Sequence, residues 1–387
     1  MLPFSSIEFF VIIAILLLWM YLAKHYLAHI FDYSTALFIT IIIFISFYYP
    51  KPIHIFLFFL YSYLSFRILI ITTFINHRLI SSLILLFPMI MFKVFENFSS
   101  PFYRISEIIF FPGISYVSFR LLSLYLDTKD NPLQINIISF INYLLFIPTL
   151  LIGPIDRYPR FKMDMDLGYE KLKSSNFLKG MKYIRWGILF KFILAELINH
   201  YWFDKFDLNE FSTRELILDS YIYYVYLIFD FSGYSFMAVG LGILMGINVP
   251  MNFMKPLLAK NPKDFWKRFH ITLGAWLKDY FFIPIYKYLR SFSYLKRFHL
   301  FCQNISLFMT FFLMGCWNGL SPNFIICGSI FGVYSMVYNT YEYYCKKNGK
   351  DIIFGQLPEF FVTFISRLIM FNLVSFALYV FSGRAIY

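Results

Sequence analysis

The sequence predicts an all-α, polytopic membrane protein. Three observations carry that expectation. Of its 387 residues 59% are hydrophobic and only 14% charged, where soluble domains carry about a quarter charged residues. The mean hydropathy is +0.64. Apolar runs that can cross a hydrocarbon core of about 30 Å, which takes roughly 20 helical residues, recur along nearly the whole length.

Lipid offers no partner to backbone N–H and C=O groups, so each run must close its hydrogen bonds within itself as a helix. The runs lie near 7–23, 34–50, 53–76, 79–94, 107–126, 135–153, 181–200, 216–229, 231–249, 300–316, 323–341 and 358–382. Several are short or interrupted, which sets the expected number of true spans at about ten or eleven. No long soluble domain fits between them. The chain reads as one domain over 1–387, with N-terminal helices in 1–105 and a motif-bearing part in 106–387. The first run, Ile7 to Ala23, has almost no basic flank and no small-residue cleavage site, so it reads as a retained helix.

Charge gives the orientation. In one connecting segment Arg157, Arg160, Lys162, Lys171, Lys173, Lys179, Lys182 and Arg185 outnumber Asp156, Asp164, Asp166 and Glu170, which places it in the cytoplasm by the positive-inside rule. The loop from Lys255 to Arg268 and the stretch from Lys346 and Lys347 to Lys350 are basic too. Such segments set topology and touch anionic lipid, or they dock an acidic soluble partner, for which a net charge of +12 supplies steering.

Other chemistries find no footing. Cys302, Cys316, Cys327 and Cys345 form no C-x-x-C pair and have no His at ligand spacing, so buried free thiols are expected and no metal. No Gly-rich phosphate loop and no Gly-x-Ser-x-Gly elbow occurs, and no nucleic-acid partner is expected. Gly233, Gly240, Gly242 and Gly246, with Gly242/Gly246 as a small-xxx-small pair, read as close helix packing.

One segment crowds charge among aromatics: KDFWKRFHITLGAWLKDYFF, residues 263–282. On a helical wheel Trp266, Phe269, His270, Leu273, Leu277 and Tyr280 fall on one side, and Asp264, Lys267, Arg268, Lys278 and Asp279 on the other. A helix so divided lies along the interface or re-enters shallowly. His270 is left on the apolar side by itself. An ionisable group facing the interior at membrane depth is expensive and so a functional candidate, although a satisfied core histidine is the bland alternative.

The same segment resembles the signature of the membrane-bound O-acyltransferases. GISYVSFR (113–120), GPIDRYPRF (153–161) and FDFSGYSFMAVGLGILMGINVPMNFMKP (229–256) resemble the bacterial branch of that family that transfers D-alanine onto teichoic acids. The resemblance runs from about Gly113 to the C-terminal FSGRAIY, and the apolar N-terminal third is compatible with it. It implies a ring of tilted membrane helices, some re-entrant or interfacial, around a central funnel in the bacterial cytoplasmic membrane. It implies a D-alanyl thioester donor on the phosphopantetheine arm of a small acidic carrier protein, with no cofactor bound to the enzyme itself. The acceptor would be a cell-envelope polymer or a membrane acceptor protein, and the chain would also contact membrane lipid.

By the same resemblance His270 and Asn318 are the catalytic candidates. Trp266, Trp317, Asp230, Tyr234, Asp156 and Arg157 would line the substrate or donor passage, and Lys267 and Arg268 would dock the carrier. Read from the residues alone, Asp156 and Arg157 pair with each other or cap a turn. The family usually places a second His in a Trp-His-Gly step, where this chain reads Met314-Gly315-Cys316-Trp317-Asn318-Gly319. Imidazole accepts a proton near neutral pH, whereas a carboxamide only donates or accepts a hydrogen bond. Three readings stay open: an enzyme in which His270 is the base and Asn318 positions the acyl group, a relative that keeps fold and carrier binding but has lost transfer, and a small-solute channel or transporter.

Overall fold

The computed structural model describes residues 7–48, 52–72, 78–96, 111–129, 135–205, 212–349, 353 and 357–384. Lys350, residues 107–110, the last residues of the runs expected at 34–50 and 53–76, and the last three residues of FSGRAIY lie outside these. All regular structure among the described residues is helical. Among the described residues six helices are long and apolar enough to cross a membrane: Glu8–Leu27, Pro52–Ile71, Arg78–Phe95, Thr213–Leu244, His299–Asn318 and Glu359–Phe381.

That number is below the ten or eleven expected, and the differences have local causes. The runs at 216–229 and 231–249 are one 32-residue helix, Thr213–Leu244. The run at 135–153 breaks after the short helix Ile137–Leu144 into a tight turn containing Pro148, because proline cannot donate the next helical hydrogen bond. The run at 181–200 lies in a helix that opens with Lys179, Lys182 and Arg185 in Ser174–Ile188. It then continues through two widened turns, Leu189–Ala195 and Asn199–Phe203. Pro322–Asn348 extends past the expected run to Glu342, Lys346 and Lys347.

The chain divides into two compact units, residues 1–189 with 233–251, and residues 190–232 with 252–387. The first contains α1 (Ile7–Leu22), α2 (Tyr33–Tyr48), α3 (Pro52–Ile71), α4 (Arg78–Phe95), α5 (Ile114–Lys129), α6 (Ile137–Leu144), α7 (Tyr158–Leu167) and α8 (Ser174–Ile188). The C-terminal part of α9 (Thr213–Leu244) also belongs to it. Aromatic contacts such as Phe9–Phe44 (6.0 Å) and Phe58–Phe111 (5.0 Å) join these helices. Arg120 of the GISYVSFR stretch is 1% exposed. It donates to the carbonyl of Tyr143 at 3.1 Å and to Thr149 Oγ1 at 3.0 Å, tying α5 to α6 and the turn that follows. A buried cation of this kind persists only where fixed acceptors replace its water.

The acidic and basic residues of 156–171 form a network with the turn after α9. Arg160 pairs with Asp156 and with Asp164 (3.3 Å) and donates to the carbonyl of Asn248. Asp164 accepts from Asn248 N at 2.7 Å and pairs with Lys171 at 3.0 Å. Asp156 and Arg157 therefore do not form a side-chain pair, since Arg157 reaches Asp127 at 3.4 Å. Asp156 does cap the turn, accepting from Arg157 N at 2.7 Å. Burial pushes the Asp156 carboxyl above its ordinary range, while Arg160 pulls it back.

Helices α8 and α9 cross on glycines spaced seven residues apart on each. A Cβ built at Gly187 would stand 2.7 Å from the carbonyl oxygen of Gly233, and one at Gly240 would stand 2.7 Å from that of Gly180. The neighbours are backbone and cannot yield. The sequence-level pair Gly242/Gly246 does not take part: Gly242 faces Val249 and Ile247, and Gly246 ends the helix at φ +89°. We expect Gly187→Leu to separate the two helices and reduce the monodisperse fraction after detergent extraction, at a cost of about 1–3 kcal/mol or more for an overpacked contact. An unchanged elution profile and melting temperature would contradict that crossing.

The second unit holds the N-terminal part of α9, α10 (Pro262–Trp266), α11 (Ile271–Leu277), α12 (Ile283–Ser291), α13 (His299–Asn318), α14 (Pro322–Asn348) and α15 (Glu359–Phe381). A widened turn at Lys278–Phe282 joins α11 to α12 without interrupting the helix. α13 and α14 form a tight antiparallel hairpin, in which a Cβ on Gly315 would meet the carbonyl oxygen of Phe324 at 2.5 Å and one on Gly328 that of Phe311 at 2.6 Å. The core of this unit gathers Tyr224, Phe253, Phe265, Phe269, Phe331 and Met370, with Phe265 stacked on Phe331 at 5.9 Å. The 252–270 stretch is thus embedded among α9, α14 and α15.

Candidate functional site

The site begins with the way the chain turns at His270. Asn261 caps α10, its side chain accepting from Asp264 N at 2.8 Å, with Pro262 at the first helical position. Asp264 accepts in return from Lys260 N at 3.0 Å. These are the residue types that start helices. After Trp266 the helix unwinds, and Lys267 N and Arg268 N close short turns on Asp264 and Phe265 carbonyls. His270 then takes φ +48°, a left-handed conformation that costs a non-glycine residue on the order of 1–3 kcal/mol. A new helix starts at Ile271.

Residues 263–282 are therefore not one amphipathic helix, as the wheel assumed, but two helices hinged at His270. The two-sided division survives the break. Phe269, His270, Leu273 and Leu277 are buried, while Lys267, Lys278 and Asp279 are exposed.

Asn252 holds the left-handed turn from across the chain. Its carbonyl accepts from Ile271 N at 3.0 Å. Its side-chain Oδ1 accepts from Thr272 N at 3.1 Å and from Thr272 Oγ1 at 2.6 Å. The cap that His270 does not provide for α11 comes from Asn252 instead. Met254 N adds a bond to the carbonyl of Arg268 at 2.9 Å.

The His270 imidazole is 5% exposed, and neither ring nitrogen has a hydrogen-bond partner among the described residues. Its ring meets Phe231 edge-on at 4.9 Å. Burial pushes its pKa down to about 3, so the ring is neutral at physiological pH and available as a proton acceptor. Trp266 Nε1 is likewise buried without a partner. The Trp266 ring sits 5.0 Å from both Phe311 and Phe331, between α13 and α14.

Asn318 lies seven residues beyond Phe311 on α13, on the same side of that helix and about 10 Å further along its axis. Its Nδ2 donates to the carbonyl of Met314 at 2.9 Å, and it makes no hydrogen bond to His270. Trp317, half-buried, precedes it. Asp230 pairs with Lys191. Tyr234, one turn further along α9, is half-buried. Lys267 is exposed, and Arg268 pairs with Asp264 at 2.8 Å. The structure thus gathers Trp266, His270 and α13 around one aromatic core. Asp156, Arg157 and Asp230 are already engaged in ion pairs.

Two features escaped the sequence reading. Asn252, 0% exposed, gave no signal beyond its place in VPMNF. Asp219, also 0% exposed, accepts from Arg384 Nε at 2.9 Å and Trp202 Nε1 at 2.8 Å. A lone carboxylate inside an apolar run was the available clue to it.

The model of the membrane-bound O-acyltransferase family matches residues 25–347. The chain belongs to that family. It is an O-acyltransferase and a multi-pass protein of the cytoplasmic membrane. The acyltransferase is 35% identical over 306 residues to a teichoic acid D-alanyltransferase of Bacillus subtilis, covering 77% of this chain and 75% of that protein. It is 28% identical over 313 residues to a teichoic acid D-alanyltransferase of Streptococcus thermophilus, covering 78% and 74%. With a probable alginate O-acetylase of Pseudomonas aeruginosa it shares 30% identity over 245 residues, 62% of this chain and 45% of that one. The family match takes in α2 to α4, well before the motifs that first pointed to it.

Proposed function

We propose that the acyltransferase moves a D-alanyl group from a thioester on the phosphopantetheine arm of a small acidic carrier protein to a hydroxyl of a cell-envelope acceptor, a polymer or a membrane protein. The observation that carries this reading is His270: a buried, neutral imidazole with both nitrogens bare, held in a strained turn beside Trp266. Groups kept in such a state at membrane depth serve function, because each unmade hydrogen bond costs stability. The similarity to D-alanyltransferases over three quarters of the chain supports the choice of acyl group.

In this reading His270 accepts the proton of the attacking hydroxyl, and Asn318 positions the acyl group by a hydrogen bond. Trp266, Trp317 and Asp230 line the acyl passage. Lys267, exposed and without an ion-pair partner among the described residues, meets the acidic carrier first, with Arg268 beside it. The whole chain, residues 1–387, works as one catalytic domain whose membrane-crossing segments ring a funnel from cytoplasm to outer face. The enzyme itself binds no cofactor.

Purified enzyme in liposomes, offered carrier charged with D-alanine or with acetate, should transfer D-alanine preferentially. Preferential acetyl transfer would overturn the donor assignment. Asn318→Ala should lower the rate about five- to tenfold, the scale of one hydrogen bond. Asn318 in place of the family's second histidine favours one competing reading, a relative that binds but does not transfer. Wild-type inactivity with transfer gained in Asn318→His would establish it.

A further inference from the structure

Asn252 leaves a second buried group unsatisfied next to His270. Its Oδ1 takes two donors, Thr272 N and Thr272 Oγ1, which fixes the orientation of the amide, since turning it over would set an NH2 against a backbone N–H. Both hydrogens of Nδ2 therefore point elsewhere, and Nδ2 is buried with no acceptor among the described residues. The carbonyl of the same residue bonds Ile271 N at 3.0 Å, so Asn252 lies against the two residues that follow His270. Among the described residues the turn thus carries a proton acceptor without a partner at His270, and Asn252, bonded to the two residues that follow, an N–H donor fixed in orientation and without an acceptor. The large majority of buried side-chain polar atoms are hydrogen-bonded, and of the buried unpartnered side-chain atoms among the described residues Asn252 Nδ2 is the one whose residue bonds directly to the turn at His270.

We propose that Asn252 Nδ2 donates a hydrogen bond to the carbonyl oxygen of the acyl thioester, a role that rests on the acyl-transfer reading of His270. The acceptor hydroxyl oxygen attacks the carbonyl carbon while its proton passes to His270. The carbonyl oxygen becomes an oxyanion and strengthens its bond to Asn252 Nδ2–H. Collapse of this intermediate breaks the carbon–sulfur bond, and the imidazolium returns the proton to the leaving thiolate, so thioester and alcohol become ester and thiol. The donor is locked by Thr272 before substrate arrives, which is the condition under which such a group stabilises developing charge. It supplies the acyl-carbonyl contact from the side of the turn that bears the base.

Asn252→Asp separates this role from a structural one, because a carboxylate still accepts from Thr272 N and Oγ1 but has no N–H to give. Expected is a loss of about 10²–10³ in kcat, the scale of removing one oxyanion donor, with KM for the charged carrier little changed, and with rates compared at equal folded protein because the buried carboxylate lowers the melting temperature. Thr272→Val, which keeps the backbone bond to Asn252 and removes the hydroxyl bond, should lose far less. A readout that needs no turnover is the infrared carbonyl stretch of 13C-carbonyl-labelled D-alanyl pantetheine thioester bound to the enzyme. It should shift to lower frequency in wild type and in His270→Ala and lose that shift in Asn252→Asp. A stretch that is the same in wild type and Asn252→Asp overturns the assignment, as does full transfer activity in Asn252→Asp. Failure of the acyl-transfer reading shows separately, as absence of transfer by the wild type, and failure of His270 as the base shows as undiminished transfer by His270→Ala.

Discussion

His270→Ala is expected to reduce acyl transfer by about 10²–10⁴, the contribution of a positioned general base, without loss of folded protein. The imidazole makes no hydrogen bond among the described residues, so its removal leaves no new unsatisfied group, and the remaining cost is a cavity beside Phe231. Alanine tolerates the left-handed turn less well than asparagine does. His270→Asn therefore serves as the second variant: it keeps the turn and still lacks a base, so it should melt like the wild type and fail to transfer. The pH profile gives an independent sign. Burial lowers the His270 pKa from 6.5 to about 3, and transfer requires the neutral ring, so kcat/KM should fall only when the pH drops through that lowered value. It should be flat from about pH 8 to 5, where an ordinary imidazole would already have lost its proton-accepting form below about 6.5. In the reacting complex the developing oxyanion raises the proton affinity of the ring, since an opposite charge within about 4–6 Å favours imidazolium. An acid limb near 6.5 would contradict the buried state of His270.

Asp219→Ala should be the most destabilising change outside the site, by about 3–5 kcal/mol, the scale for removing one partner of a buried ion pair. It strips both the 2.9 Å bond from Arg384 and the 2.8 Å bond from Trp202 and leaves the guanidinium, stacked over the Phe203 ring at 4.5 Å, without its carboxylate. Arg384→Ala should do comparable harm by leaving a fully buried carboxylate. The double replacement Asp219→Leu with Arg384→Met should recover much of the loss, because apolar groups of similar volume do not carry the desolvation penalty. Melting temperatures in detergent of the two single variants and the double variant test this. Additive losses would show that the two residues act independently.

Helical character and membrane residence were legible because composition and run length depend only on the solvent. The number of crossing helices was not. Whether 216–249 forms one helix or two turns on whether Gly233 and Gly240 bend the chain or pack, and they pack, against Gly180 and Gly187. Hydropathy has no access to that partner. The wheel over 263–282 separated buried Phe269, His270, Leu273 and Leu277 from exposed Lys267, Lys278 and Asp279, with Asp264, Trp266, Arg268 and Tyr280 all half-buried, yet missed the hinge, because the left-handed turn at His270 is held by Asn252, eighteen residues upstream. His270 itself stood out as the ionisable residue on an apolar face. Asn252 did not, since an asparagine in a VPMNF stretch looks like any turn former until its two faces are seen, one filled by Thr272 and one bare. The pairing of Asp156 with Arg160 and of Arg157 with Asp127 illustrates the same limit: adjacency left a pair and a turn cap equally open, and the structure has the cap, Arg157 N donating to Asp156.

The most direct measurement is a single-turnover assay in proteoliposomes, with enzyme in excess over carrier charged with radiolabelled D-alanine and a hydroxyl-bearing envelope polymer as acceptor. Label should leave the carrier thioester and appear as hydroxylamine-sensitive ester on the acceptor in wild type, and stay on the carrier in His270→Ala at equal folded protein. Label that remains on the carrier with the wild type, or that reaches the acceptor at an undiminished rate without His270, would contradict acyl transfer at this site.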